Sequence, residues 1–200
     1  MERSQSVVVF DLGEVLVPSA RVFEELTGEL GVTRESLAEA YWPGRRDYDL
    51  GGDGDHYWSE VLARLGKAPD VGARVRDLDA QKWSQLPEAS ATLLATVAGT
   101  PGVRVGVLSN APAALAAAVR AAPWSAVVDT LVFSADLGLV KPDLRIYAAA
   151  DAAYGCDPAE VIFFDDQADN VAAARAHGWN AHQWAGVQSA LARLHEYGIG

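Results

Sequence analysis

Cysteine occurs once in these 200 residues, so no internal disulfide can form. A chain of this size buries enough core to do without one, and a lone Cys156 suits a reducing, cytoplasmic setting. Long apolar runs are also missing. None approaches the roughly 20 residues of a membrane helix, and the Ala-rich stretch from Ala111 to Ala122 is broken by Pro112 and Arg120. The opening Met1-Glu2-Arg3-Ser4-Gln5-Ser6 has no signal-peptide shape. Positive charge is scarce: 16 Lys and Arg stand against 27 Asp and Glu, a formal net charge of −11. A field of that sign disfavours nucleic acid and anionic lipid, so neither partner is expected. It equally opposes capture of a phosphate ester, which would need local positive charge from a metal, a lysine or backbone amides. Internal repeats are absent, and His56, His177, His182 and His195 share no metal-ligand spacing.

Short apolar runs alternate with longer helical patterns. Val7 to Phe10, Val103 to Leu108, Val127 to Phe133, Val161 to Phe164 and Asn180 to Trp184 read as strands, and continuous apolar runs suit strands covered on both faces. Helical spacing marks Ala89 to Ala98, Pro112 to Ala122, Ile146 to Tyr154, Asn170 to His177 and Val187 to Tyr197. Pro112 is expected early inside its helix. This alternation predicts an α/β fold with a doubly wound parallel sheet. Residues 18–85 differ, reading as four helices over 21–30, 34–41, 55–65 and 71–83 with a Gly51-Gly52-Asp53-Gly54 turn. We therefore expect a helical cap over 18–85, inserted into a catalytic core of 1–17 and 86–200.

Polar residues fall at informative places. Three apolar strands end in Asp11, in Ser109-Asn110 and in Asp165-Asp166, and Lys141 follows the third strand. In an open parallel sheet, strand carboxyl ends converge on one crevice. Three converging carboxylates call for a cation, and oxygen ligands suit magnesium. Such a metal offsets the charge of a phosphate. An aspartate can attack phosphorus and split one hard step into two, while a hydroxyl, an amide and an ammonium hold the remaining oxygens.

The four segments Val8 to Leu16, Val107 to Asn110, Lys141-Pro142 and Phe163 to Asn170, in this order, resemble the haloacid dehalogenase-like (HAD) hydrolase superfamily. The resemblance implies a Rossmann-like core and, residue by residue, these roles. Asp11 is the nucleophile and a metal ligand, with the Gly13 carbonyl and Asp166 as further ligands and Asp165 acting through water. Ser109 and Lys141 hold the phosphate, Lys141 also restrains Asp11, Asn110 orients the substrate, and Asn170 braces the fourth loop. The stretches Ser134 to Tyr147 and Phe163 to Asn170 are similar to subfamily IA members that act on sugar phosphates, such as bacterial α-D-glucose-1-phosphate phosphatase. One departure stands out. Most phosphatases of the superfamily carry a second aspartate, a general acid, where this chain has Gly13. Glu14 is adjacent, with its side chain expected to point elsewhere.

The expected function is thus a magnesium-dependent hydrolase of a small-molecule phosphate ester, with oligomeric state open. Two alternatives compete: a 2-haloacid dehalogenase, in which Asp11 attacks carbon without metal, and a catalytically weak metabolite-binding protein. Several residues have plainer readings. Ser109-Asn110 also reads as a helix cap, and Asp169 as another. Tyr41, Trp42, Tyr48, Tyr57 and Trp58 read mainly as cap core. Arg45 and Arg46 either bind a second anionic group of the substrate or pair with nearby acids.

Overall fold

The computed structural model describes residues 6–200, so Met1 to Gln5 of the opening segment lie outside the described residues. Five strands form one parallel sheet: β1 (Ser6–Phe10), β2 (Val103–Ser109), β3 (Thr130–Phe133), β4 (Val161–Asp165) and β5 (Asn180–Gln183). Their order is β3-β2-β1-β4-β5. The chain builds outward from β1 to one edge, then returns to β1 and builds to the other, which creates a switch point at the centre.

Side chains alternate across β1, as a strand of period two requires. Val8 and Phe10 enter one hydrophobic cluster, Val7 and Val9 the other. On the first face lie α6 (Glu88–Ala98), α7 (Ala113–Ala121) and α11 (Val187–Glu196), supplying Leu94, Leu115 and Leu194. On the second lie α9 (Leu144–Tyr154) and α10 (Ala168–His177), supplying Tyr147 and Val171. Covering both faces is what makes the valine-rich runs necessary. Phe10 and Phe164, both buried, stack at 5.5 Å on neighbouring strands just below the switch point. Each contributes about 1.5–3 kcal/mol through burial.

Between β1 and α6 the chain forms five helices: α1 (Ser19–Leu30), α2 (Arg34–Tyr41), α3 (Arg45–Asp49), α4 (Gly54–Arg64) and α5 (Gly72–Trp83). Local chemistry sets their limits. Thr33 caps α2 and Asp53 caps α4 through side-chain acceptors, and Gly31 ends α1 in the left-handed region. The α3–α4 turn requires glycine twice. Gly51 has φ +97°, and a Cβ on Gly52 would sit 2.6 Å from the Asp47 carbonyl oxygen. This tight turn fixes α3 beside the short helix α8 (Ser134–Leu137). The buried Ser134 hydroxyl clamps the contact, donating to the Asp49 carbonyl at 2.5 Å while accepting from the Ala111 N–H at 2.9 Å.

Three expectations need correction. The third strand spans only Thr130–Phe133, because Pro123 starts a 3₁₀ turn that absorbs residues through Val127. Pro112 is the N-cap of α7 with extended ψ of 162°, not a residue inside the helix. Helix α3 was not among the four helices expected over 18–85, since five residues give no helical period to detect. No helix among the described residues is long and apolar enough to cross a membrane.

Candidate active site

The strand ends converge as their order demands. Register pairs Phe10 with Val107 and with Phe164, so Asp11 and Asp165 emerge at one level. The Asp11 amide continues the ladder by donating to the Phe164 carbonyl at 2.9 Å. Asp11, Asp165 and Asp166 each offer a carboxylate oxygen within 4.8 Å of the others. Among the described residues no other group of three or more His, Cys, Asp or Glu could share a metal ion.

Lys141 enters from the loop after α8, across a cis Lys141–Pro142 bond. Its ammonium is buried and three-coordinate: 3.0 Å from Asp11 Oδ1, 2.7 Å from Asp165 Oδ2 and 2.9 Å from the Leu108 carbonyl. Asn110 holds the lysine backbone like a second peptide group. Its Oδ1 accepts from the Lys141 N–H at 2.8 Å, and its Nδ2 donates to the Lys141 carbonyl at 3.1 Å. Neither Ser109 nor Asn110 caps α7, whose N-cap Pro112 makes no side-chain cap bond. Asp165 is fully buried and saturated: it accepts from Lys141, from Asn170 Nδ2 at 2.9 and 3.1 Å, and from the Gln167 N–H at 2.8 Å. Asp166 is half-buried and bonded by the Gln167 side chain. Asp169 is exposed in the first turn of α10, whose N-cap is Gln167, so it caps nothing.

Electrostatics follow from this crowding. Burial, together with nearby Asp165, pushes the Asp11 carboxyl up to about 6, against the lowering effects of Lys141 and a Ser109 hydrogen bond. Burial by itself would lower Lys141, but Asp11 and Asp165 reverse this and hold the ammonium above its usual range. Burial also raises Asp166, with Asp165 adding to it. A cavity of about 200 Å³ opens over the cluster. Among the described residues, Asp11, Glu14, Asp49 and Asp166 line it against Arg45 and Lys141. The donor set is all oxygen and the charge excess is that of a divalent cation, so a hard ion such as magnesium fits these residues.

The far wall of the cavity comes from the helical insertion, through Trp42, Arg45, Asp49 and Trp83. Four of the five aromatics read as core are buried, whereas Trp42 is 49% exposed and lines the cavity. Arg45 is buried and Arg46 exposed, which separates two residues that sequence left together. Arg45 Nε donates to Asp49 Oδ1 at 2.7 Å and its Nη1 to the Tyr41 hydroxyl. That hydroxyl also receives Trp83 Nε1 at 2.9 Å and donates to the buried Asp79 at 2.9 Å. Burial lifts Asp79 to about 6 despite the nearby Arg45.

Trp83 carried no signal in sequence, being one more apolar position at the end of an amphipathic helix. Its importance is spatial. A Cβ on Gly13 would lie 3.7 and 3.9 Å from two atoms of the indole. Gly13 itself lies outside the left-handed region, so its backbone does not require glycine. The turn does strain its neighbour: Glu14 has φ +57°, and its carboxylate accepts from Ser19 N–H at 3.2 Å at the start of α1. A larger open groove of about 960 Å³ between α5 and α7 includes none of the carboxylates of the cluster. Cys156, half-buried and raised by burial, also lies apart from it.

The parallel sheet thus carries an acid cluster at its central switch point, where ligands bind in open α/β sheets. The family model for haloacid dehalogenase-like hydrolases matches residues 5–178. The chain belongs to this family. Phosphatase MT3486 from Mycobacterium tuberculosis is 34% identical over 131 residues, 62% of this chain, and the match spans only 59% of that protein's length. (S)-2-haloacid dehalogenase 4A from Burkholderia cepacia is 26% identical over 90% of this chain and 83% of its own. Among solved structures, the HAD family enzyme bt-2542 from Bacteroides thetaiotaomicron, as its magnesium complex, superposes with TM-score 0.72 at 19% identity, covering 96% of this chain and 100% of that one. The L-2-haloacid dehalogenase from Xanthobacter autotrophicus, with chloropropionic acid covalently bound, gives TM-score 0.70 at 23% identity over 98% and 84%.

Proposed function

We propose that the chain is a magnesium-dependent phosphatase of a small phosphorylated metabolite, working through an aspartyl-phosphate on Asp11. The observation that carries this reading is the approach of Asp11, Asp165 and Asp166 oxygens to within 4.8 Å, beside a single buried ammonium. That density of carboxylate has a use in binding a divalent ion and none in a metal-free attack on carbon. The bt-2542 complexes with magnesium and inorganic phosphate give the reading a precedent within the fold.

Asp11, Asp166 and the Gly13 carbonyl would hold the metal. Asp165, first expected to act through water, is better read as the anion that positions Lys141, because protein donors fill both its oxygens. Magnesium, when bound, would neutralise phosphate charge and favour the ionised form of Asp11. Lys141 restrains the attacking carboxylate through its 3.0 Å contact. The Ser109 hydroxyl, buried at the end of β2, supplies a donor to phosphate oxygens. Asn110 acts mainly by holding the Lys141 backbone, with its remaining N–H available to the substrate. Residues 18–85 form the cap and 1–17 with 86–200 the core, a division supported by cavity walls drawn from both. We place the chain in subfamily IA, near the sugar-phosphate phosphatases, acting in the cytoplasm without a nucleic-acid or membrane partner.

Phosphate release from a panel of esters, with magnesium and with chelator, tests the reading. Release should require the metal and vanish in Asp11→Asn while the fold persists. Full turnover in that variant would overturn the mechanism. Dehalogenation is the second reading, favoured by the missing acid at Gly13 and by relatives of that activity. Chloride release from 2-chloropropionate in the presence of chelator would revive it.

A further inference from the structure

We infer that the preferred substrates are acyl phosphates, whose carboxylate leaving group departs unprotonated and is received by Arg45. This rests on the phosphatase reading and names its substrate class. Among the described residues, the cavity carboxylates outside the metal cluster, Glu14 and Asp49, are each held by another group. Residue 13 is glycine, and the Trp83 indole covers the side where its side chain would stand, 3.7 Å from a Cβ there. The Glu14 carboxylate is turned to the Ser19 N–H. Burial raises the Asp49 carboxyl, while Arg45 Nε at 2.7 Å opposes that rise and occupies its Oδ1. A proton donor contributes roughly 10²–10⁴-fold where the leaving group needs it, so the chemistry suits a group that leaves without one.

Arg45 supplies the complementary cation. Among the described residues it is the one cationic side chain lining the cavity besides Lys141, which Asp11, Asp165 and Leu108 already occupy. Of the five guanidinium N–H groups, Asp49 and Tyr41 take two. Those bonds fix the guanidinium plane, and a fixed guanidinium matches a carboxylate. At about 200 Å³ the cavity is smaller than the roughly 300–1,000 Å³ typical of drug-sized ligand sites, and the Trp42 and Trp83 indoles leave it walled by apolar rings. In the first step an Asp11 oxygen bonds to phosphorus. The bond from phosphorus to the acyl oxygen breaks, and the carboxylate leaves with the electron pair. In the second, a water oxygen bonds to phosphorus, Asp11 regains its electron pair, and the water proton passes to solvent.

The test measures kcat/KM of the magnesium-loaded enzyme on acetyl phosphate, a graded series of aryl phosphates and glycerol 3-phosphate. We expect activity to fall steeply as the leaving group becomes more basic, with glycerol 3-phosphate about 10²–10⁴-fold below acetyl phosphate. Arg45→Met should lower kcat on acetyl phosphate about tenfold or more, with partial rescue by Arg45→Lys. Because Arg45→Met strands Asp49 in a buried position, the charge-balanced Arg45→Met/Asp49→Asn variant carries the same readout. Calorimetric binding of phosphonoacetate to Asp11→Asn should weaken about tenfold when Arg45→Met is added. Equal rates on alkyl and acyl phosphates would overturn the inference while sparing the phosphatase reading. So would a loss specific to alkyl phosphates in Asp49→Asn, which would make Asp49 the missing acid. Absence of Asp11-dependent phosphate release from every ester would remove both.

Discussion

Replacing Lys141 with methionine deletes one charge where two buried carboxylates meet. The ammonium spends all three donors on Asp11, Asp165 and the Leu108 carbonyl. Methionine keeps the length of the side chain and none of these bonds. Breaking a buried pair by removing one partner costs about 3–5 kcal/mol, and this loss should appear in urea unfolding of the metal-free protein at pH 8. The deficit should also depend on pH, and its sign can be worked out. Asp11 already sits near 6 with Lys141 pulling it down, so its pKa rises further in the variant. A carboxyl raised in the folded state contributes stability that is fully present below its unfolded value of about 3.9, and that stability is lost as pH climbs through the folded value. The variant should therefore approach wild type near pH 4–5 and fall furthest behind at pH 8. Adding Asp11→Asn should restore about 2 kcal/mol or more, as a coupling energy between contacting residues. Phosphate release should drop about 10²–10³-fold. A deficit under about 1 kcal/mol at pH 8, or one that is constant with pH, would refute the electrostatic reasoning.

Other expectations follow from single contacts. A Cβ on Gly106 in β2 would meet Tyr154 Cε1 at 2.8 Å and Val9 Cγ2 at 3.2 Å, so Gly106→Ala should cost about 1–3 kcal/mol through overpacking in denaturant melts, with activity per folded molecule unchanged. Asp79 is raised by burial to about 6, so its contribution to stability is lost as pH rises from about 4 through 6. Asp79→Asn should remove on the order of 3 kcal/mol of that pH dependence, measured as unfolding free energy against pH. Protons compete with metal at Asp11, which titrates near 6 in the metal-free protein. Half-saturating magnesium should therefore rise about tenfold per pH unit below 6 and level off above it, read by calorimetric titration.

Much of the fold was legible because parallel strands must be apolar on both faces. Val7 to Phe10 and Val161 to Phe164 therefore stood out, and Asp11 and Asp165-Asp166 marked their ends. Residues whose roles depend on a distant partner were harder to read. Asn110 looked like a cap or substrate ligand, yet it grips the backbone of Lys141, 31 residues away. Asp165 was expected to support the metal through water, and its environment of Lys141, Asn170 and the Gln167 amide cannot be inferred from the Asp-Asp pair. Arg45 and Trp83 meet over the cavity through the Tyr41 hydroxyl. No local period announces that contact, since it joins α2, α3 and α5.

The central claim is that Asp11 attacks phosphorus, and it can be tested by trapping the enzyme in turnover. Acid quenching during magnesium-dependent hydrolysis of acetyl phosphate, followed by mass spectrometry of the peptide containing Asp11, should reveal a phosphoryl group on that residue that hydroxylamine removes. Phosphate release that continues with no such adduct, or an adduct that persists in Asp11→Asn, would contradict the account.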